Sequence, residues 1–281
     1  MKFSHPAADL YAPDGTPPER ALARTTHLCV GAHQDEIEIM AHAGIAECHG
    51  SPVRFFTGVV VTDGAGAPRA GRYAKYDDAR MKEVRREEQR AAAALGKYSL
   101  QIQLAQPSAE VRKRGAGVSA DLGAIFGACQ PEVVYLHNPA DKHDTHIAVL
   151  LRCLEALRAL PAARRPRRVL GCEVWRGLDW LVEADKVALD AGRLPELAEA
   201  LIQVFDSQIA GGKRYDLATI GRRAANATYD APRRTDAATA VTWAMDLAPL
   251  VADASLSVAD YTLGYVDRLR ADIADRLKRL S

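Results

Sequence analysis

Apolar and polar positions alternate along this chain in blocks that change period. Thr26-His27-Leu28-Cys29-Val30-Gly31-Ala32 is a short apolar run ending on small residues, which predicts a buried strand over 26–31. Ile37-Glu38-Ile39-Met40-Ala41-His42-Ala43-Gly44-Ile45 then takes up helical spacing, predicting a helix over 35–48. Val53 to Val61 predicts a second buried strand, followed by a glycine-rich loop running to about Asp78. Lys82 to Leu95, rich in Arg, Glu, Gln and Ala and stopped by Gly96, predicts a helix. Further strands are expected over 98–104, 132–136 and 168–174, with helices over 118–128 and 144–160 between them. Strands alternating with helices of this length imply parallel βαβ units. The last third reads as helical, over 194–210, 214–227, 236–252 and 258–280. Residues 1–24 read as a polar N-terminal arm, and 25–281 as one α/β domain, since no linker or repeat divides them.

Composition narrows the class. The 281 residues are 48% hydrophobic and 26% charged, ordinary for a soluble globular protein with a sizeable core. A net charge of +1 carries no global bias toward nucleic acid or an anionic membrane. The basic runs Arg164-Arg165-Pro166-Arg167-Arg168 and Arg222-Arg223 are short, and the first is expected as a solvated loop beside a strand. Five cysteines, none in a CxxC pair, sit mostly in apolar stretches, which suits a reducing, cytoplasmic setting. The first residues lack the apolar core of a signal peptide, and no stretch approaches the roughly 18 apolar residues of a membrane span. The partner expected is a small molecule, with homo-oligomerisation left open.

The chemistry concentrates at two strand ends. His33-Gln34-Asp35-Glu36 follows the first strand, and His143-Asp144-Thr145-His146 follows the strand at 132–136. Such turns lie at the carboxyl edge of an open α/β sheet, where ligands bind. Acids at a helix start can simply favour the macrodipole, but two histidine clusters after two strands are hard to explain as caps. A catalytic zinc takes three protein ligands and keeps one position open. His33 and Glu36, three apart across a turn, can face one ion while Asp35 points past it. His146, opening a helix after a strand, is the best third ligand. Asp35 can then act as general base, and His143 can stabilise an oxyanion or protonate a leaving amine. His/carboxylate sites also accept other divalent metals.

The other histidines are weaker candidates. His27 is expected to pack within its strand, and His42 and His49 to be surface or satisfied core groups. His137 could orient a ligand or be structural. Gly64-Ala65-Gly66 lacks the third glycine of the dinucleotide fingerprint and reads as a mobile substrate loop, with Asp63 its one reactive side chain.

At these residues the chain resembles the PIG-L/LmbE family of zinc-dependent deacetylases. The family's Ala-His-Pro-Asp-Asp motif is similar to Ala32-His33-Gln34-Asp35-Glu36, and its His-Pro-Asp-His motif to His143-Asp144-Thr145-His146. Arg85 to Gly96 and Phe205-Asp206-Ser207-Gln208 resemble its Arg/Glu/Ala-rich helix and its Ser-Gln signature, so the similarity runs from about residue 26 to 230. The resemblance implies a Rossmann-like three-layer α/β/α sandwich with a mostly parallel sheet and a helical C-terminal part. It implies His33, Glu36 and His146 as zinc ligands, Asp35 as base, His143 at the oxyanion, and Arg85 or Arg86 holding substrate. The reaction it implies removes acetyl from an N-acetylglucosamine-type amino sugar. Asp63 and Trp175 join the expected substrate contacts, Trp175 through sugar stacking or, equally, as core. Glu36, Gln34 and Thr145 depart from the family's Asp, Pro and Asp and suggest a distinct subfamily. The runners-up are a metal hydrolase of a non-sugar acyl amide and a non-catalytic metal- or sugar-binding member. A base beside the ligands argues against the latter.

Overall fold

The computed structural model describes residues 1–113 and 116–281. Its strands are β1 (Asp9–Tyr11), β2 (His27–Gly31), β3 (Phe56–Thr62), β4 (Leu100–Gln106), β5 (Val133–His137), β6 (Arg168–Cys172), β7 (Val187–Asp190) and β8 (Val241–Asp246). Its helices are α1 (Pro18–Ala23), α2 (Glu36–Met40), α3 (His42–Cys48), α4 (Asp78–Leu95), α5 (Ser108–Arg112), α6 (Ala116–Ala128), α7 (Asp144–Arg158), α8 (Pro195–Gln203), α9 (Asp206–Ile209), α10 (Tyr215–Thr228), α11 (Ala248–Ala252) and α12 (Val258–Leu280). The strands form one sheet in the order β1-β4-β3-β2-β5-β6-β8-β7. The five from β4 to β6 are parallel, β1 and β8 run antiparallel to their inner neighbours, and β7 runs antiparallel to β8.

The central strands are buried on both faces, as parallel strands covered by helices must be. Every residue of β2, β3 and β5 is buried. Side chains alternate between two cores. Leu28, Val30, Val59, Ile102, Val134 and Leu136 pack on one face, with helices α1, α6, α7 and α11. Cys29, Val60, Tyr135 and Leu170 pack on the other, with α2, α3, α4 and α8. A sheet with helices on both faces is the expected three-layer sandwich. Gly44 is what lets α3 approach β5, because a Cβ there would come within 2.7–2.8 Å of the Tyr135 ring.

Sequence order explains where a site can lie. From β2 the chain moves outward to β3 and β4, then returns to β5 on the opposite side of β2. That reversal opens a crevice at the carboxyl ends of β2 and β5, where the two histidine clusters emerge.

Three readings change. The helix expected over 236–252 is instead strand β8 followed by the short α11. Val241-Thr242-Trp243 is β-branched and aromatic, and buried pairing with β6 and β7 outweighs helical spacing. The helix expected over 35–48 breaks at Ala41 (φ −118°) into α2 and α3, and that over 194–210 breaks between Gln203 and Asp206. Residues 1–24 lie against the domain and supply an edge strand and a helix. β1 pairs with β4 and its Asp9 binds Arg90, while Ala21 and Leu22 of α1 enter the core. All five cysteines are free and buried. Among the described residues, no helix is long and apolar enough to cross a membrane.

Candidate metal centre and substrate cleft

The backbone after β2 turns sharply at Asp35, whose φ of 81° is left-handed. A non-glycine residue there is strained and must be held by its surroundings. Gln89 of α4 accepts a hydrogen bond from the Asp35 amide (3.3 Å), and Arg85 donates to the Gln34 carbonyl (2.6 Å). Gln89 in turn donates to Glu38 (2.9 Å), which also accepts from the Tyr98 hydroxyl (2.7 Å). This buried polar network fixes the turn so that residues 33, 35 and 36 have defined directions.

Glu36 sits at the centre of a histidine cluster. Its Oε1 lies 2.8 Å from His33 Nδ1 and 2.6 Å from His146 Nε2, and its Oε2 lies 3.3 Å from His137 Nε2. The Glu36 side chain is almost wholly buried. Burial alone would raise its pKa, but His146, His33 and His137 outweigh it and hold the carboxyl well below its usual range. Burial pulls His146 down, yet Glu36 and Asp141 prevail and raise it to about 9.

Ligand atoms of His33, Glu36 and His146 all lie within 4.8 Å of one another, so they could hold one ion. The fit has independent support. His146 Nε2 is buried and close to Glu36 but has no hydrogen bond of acceptable geometry, as expected of a nitrogen aimed at a third atom. Two imidazoles and a carboxylate also make a suitable catalytic set for zinc. A second group, His137, Asp141 and His146, shares His146. Here His137 Nε2 accepts from the Ala32 amide (2.9 Å), so His137 ties the end of β5 to the end of β2.

Asp35 points beside this set rather than into it. It is buried, and Arg85 Nη2 lies 3.1 Å from its Oδ2. Burial lifts its pKa; Arg85 opposes, Glu36 adds to the lift, and the outcome is about 6. His143 caps α7, its Nδ1 accepting from the Thr145 amide at 3.2 Å. A neutral ring then carries its proton on Nε2. Burial is the main cause of the lowered pKa of His143, which favours that neutral ring.

A cleft of about 460 Å³ opens over the centre, lined among others by His33, Asp35, His143, Trp175, Gln208 and Tyr215. A second chamber of about 210 Å³ shares Asp35, Glu36, Trp175 and Tyr215, and adds Glu173 and Thr242. The structure therefore brings together His33, Asp35, Glu36, Arg85, His143, His146 and Trp175. It does not bring Asp63 or Arg86 to them. Asp63 pairs with Lys82 (2.7 Å), and with Arg86 it lines a separate cavity of about 280 Å³. Of the arginine pair, Arg85 is buried against Asp35 and Gln34, while Arg86 lies 3.6 Å from Glu87.

Several site residues carried no signal in the sequence. Asp141 joins His146 from a loop, and Arg112 reaches Thr145 (3.1 Å) from a five-residue helix. Arg223, in the second of the short basic runs, is buried and caps α2 by donating to the Glu38 (2.7 Å) and Ile39 carbonyls. The Ser207-Gln208 pair was noticed only as a signature. Glu88 accepts from both the amide (2.7 Å) and hydroxyl (2.5 Å) of Ser207, which anchors α9 on α4. Gln208 thereby lines the cleft.

Residues 28–157 match the family model described as PIG-L: GlcNAc-PI de-N-acetylase. The matched segment spans both histidine clusters and fits a divergent relative of the PIG-L family. No curated protein matches the chain. Among solved structures, N,N'-diacetylchitobiose deacetylase from Pyrococcus horikoshii is similar at 17% identity and a TM-score of 0.59, covering 80% of this chain and 84% of that one. The A40926 pseudoaglycone deacetylase Dbv21 shares 15% identity at a TM-score of 0.56, with 80% and 98% covered. GalB, a 4-carboxy-2-hydroxymuconate hydratase from Pseudomonas putida KT2440, shares 19% at 0.57, with 79% and 95% covered. These likenesses establish the fold, a mixed α/β sandwich of the PIG-L/LmbE type, and the fold alone.

Proposed function

We propose that the chain is a divalent-metal amidohydrolase, with zinc as its metal, that removes the acetyl group from an N-acetylglucosamine-type amino sugar. The observation that carries this reading is the pairing of a three-ligand cluster, His33, Glu36 and His146, with a buried carboxylate beside it that is not a ligand. The family match and the two deacetylases of the same fold support the choice of reaction.

A cation held by His33, Glu36 and His146 would supply Lewis acidity toward an acyl oxygen and a water. This chain's own groups do the rest. Asp35, with a pKa raised to about 6, takes the proton from the attacking water. Arg85 holds that carboxylate in place. The water oxygen bonds to the acyl carbon, and His143, with its proton on Nε2, donates to the oxygen that gains charge. The carbon–nitrogen bond then breaks as the nitrogen takes up the proton that Asp35 accepted, and acetate and a free amine leave. Trp175 offers a ring face beside His143, their centroids 6.4 Å apart, against which a sugar can stack.

The test is metal analysis of the purified protein, coupled to acetate release from a panel of N-acetylated sugars and acetyl-lysine peptides. Release from the sugars, abolished by chelator and restored by zinc, is expected. Chelator-sensitive turnover of the peptides with none of the sugars would replace the amino sugar by a non-sugar acyl amide. Tight metal binding with no turnover of either would point to a binding protein.

A further inference from the structure

We propose that the cavity behind the His33–Glu36 turn is a second binding site, for a small uncharged polyol, distinct from the cleft over the histidine cluster. The site rests on its own lining and not on the amidohydrolase reading above.

The cavity, of about 280 Å³, lies at the carboxyl ends of β3 and β4, walled by α4 and by His5 and Ala7 of the N-terminal arm. It shares no lining residue with the cleft. The backbone beside it is irregular. β3 and β4 shift register between Val60 and Thr62, and Ala105 takes a left-handed φ of 54°. Such a shift re-aims side chains at a strand end, and strain of this kind gathers where ligands bind. Gln34 Oε1, Thr62 Oγ1 and Arg86 Nε are all buried without a hydrogen-bond partner among the described residues, and all three residues line the cavity. Gln34 and Thr62 are almost wholly buried. The Gln34 amide is fixed at its other end, where Nε2 donates to the Thr62 carbonyl and to Gln103, both at 3.3 Å. Leaving a buried polar atom unpaired is costly, so three on one wall mark a place that receives donors and acceptors.

The class of ligand follows from what is unmet. The carboxylates and cations of the wall each face an opposite charge: Lys82 lies 2.7 Å from Asp63, Arg80 lies 2.8 Å from Glu83, and Arg86 lies 3.6 Å from Glu87. What remains is an amide oxygen that only accepts, a guanidinium N–H that only donates, and a hydroxyl that does both. An anion would leave Gln34 Oε1 without a donor, and a cation would leave Arg86 Nε without an acceptor. A hydroxyl donates and accepts, so adjacent hydroxyls on one carbon chain answer all three atoms. The volume is small for a ligand pocket, which limits the occupant to a short polyol or a single ring. Gln34 is also a departure from the motif that this segment resembles, whose proline has no polar side-chain atom at that position. Its carbonyl accepts from Arg85 (2.6 Å), which also pairs with Asp35 (3.1 Å). An occupant of the cavity therefore touches the back of the turn that carries His33 and Asp35.

The test is a saturation-transfer NMR titration of the purified protein with erythritol, compared with butanediol of the same chain length and with the erythronate anion. Erythritol should bind saturably and about tenfold or more tightly than butanediol, which lacks the inner hydroxyls. Erythronate should bind no more tightly than erythritol, and salt should leave the erythritol affinity unchanged. Thr62→Val and Arg86→Gln should each weaken erythritol about fivefold, the scale of one lost hydrogen bond. Ala79→Phe, at an exposed position on the cavity wall, should abolish binding, a check should Thr62→Val fold poorly. Trp175→Ala should leave erythritol binding unchanged, because Trp175 lines the cleft and not this cavity. No saturable erythritol binding, a cavity that holds water only, overturns the site. So does binding that Ala79→Phe keeps and Trp175→Ala loses, which would put the polyol in the cleft, and so does a tighter, salt-sensitive binding of erythronate. None of these readouts involves acetate release, so the polyol site and the hydrolase reading stand or fall separately.

Discussion

Asp141 meets His146 at 3.3 Å on the ring nitrogen opposite the one that faces Glu36. The same carboxylate accepts from the His143 amide at 3.1 Å and the Trp175 amide at 3.1 Å. One side chain thus orients an imidazole of the cluster, sets the start of the second histidine motif and ties down the loop bearing Trp175. Carboxylates in this position fix the ring orientation of a metal-binding histidine and raise its basicity. Asp141→Asn should therefore weaken zinc binding about 10- to 100-fold. Competition against a chromophoric chelator measures this; unchanged affinity would leave Asp141 a purely structural group.

His33→Ala and His146→Ala should each lose metal stoichiometry while keeping the wild-type circular dichroism spectrum. Removing one of three ligands leaves a carboxylate and a single imidazole, too few to retain a divalent ion against water. Metal analysis after gel filtration decides the point, and full occupancy in both variants would move the centre to other residues.

Asp35→Asn should keep the metal and lose turnover by about 10²-fold or more, the usual scale for a general base. Asparagine preserves the shape beside Arg85 but removes both the basicity and the charge that the guanidinium faces. Metal content and kcat on one preparation separate the outcomes: normal turnover with intact metal would transfer the base role to His143.

Acid should destabilise the fold through His42, a buried residue at the start of α3. Burial is the main cause of its low pKa, with the nearby Arg223 charge adding to it, and the value falls to about 4. The folded value lies below the unfolded 6.5, so the neutral ring's contribution is complete above pH 6.5 and is lost as pH falls toward 4. By pH 5 the loss is about 2 kcal/mol. His42 Nε2 lies 2.9 Å from the Arg193 carbonyl. His42→Gln keeps a donor for that oxygen but does not titrate. Its denaturation midpoint should drop less between pH 7 and pH 5 than the wild type's; parallel curves would exclude His42 as a source of acid lability.

Much of the fold is local in origin, and that part could be read from the chain. The apolar runs at 26–31, 53–61 and 132–136 supply the central strands β2, β3 and β5, buried on both faces inside the sheet, although the second starts only at Phe56 and leaves Val53 exposed. His33, Asp35 and Glu36 were recognisable because they share one turn, and His143 and His146 because they share one helix start. Tertiary structure decided what depends on pairing across distance. Val241–Asp246 became a strand because edges of β6 and β7 were there to receive it. Asp141 gained its role only when the Trp175 loop and His146 closed around it. Arg85 and Arg86 are adjacent in sequence, but the helix aims one at Asp35 and the other at a separate cavity. Arg112 and Lys213, 101 residues apart, came to line one cleft only through packing. Hydrophobic period and motif spacing are properties of neighbouring residues, whereas the direction of a long side chain and the partner of a charge belong to the packed whole.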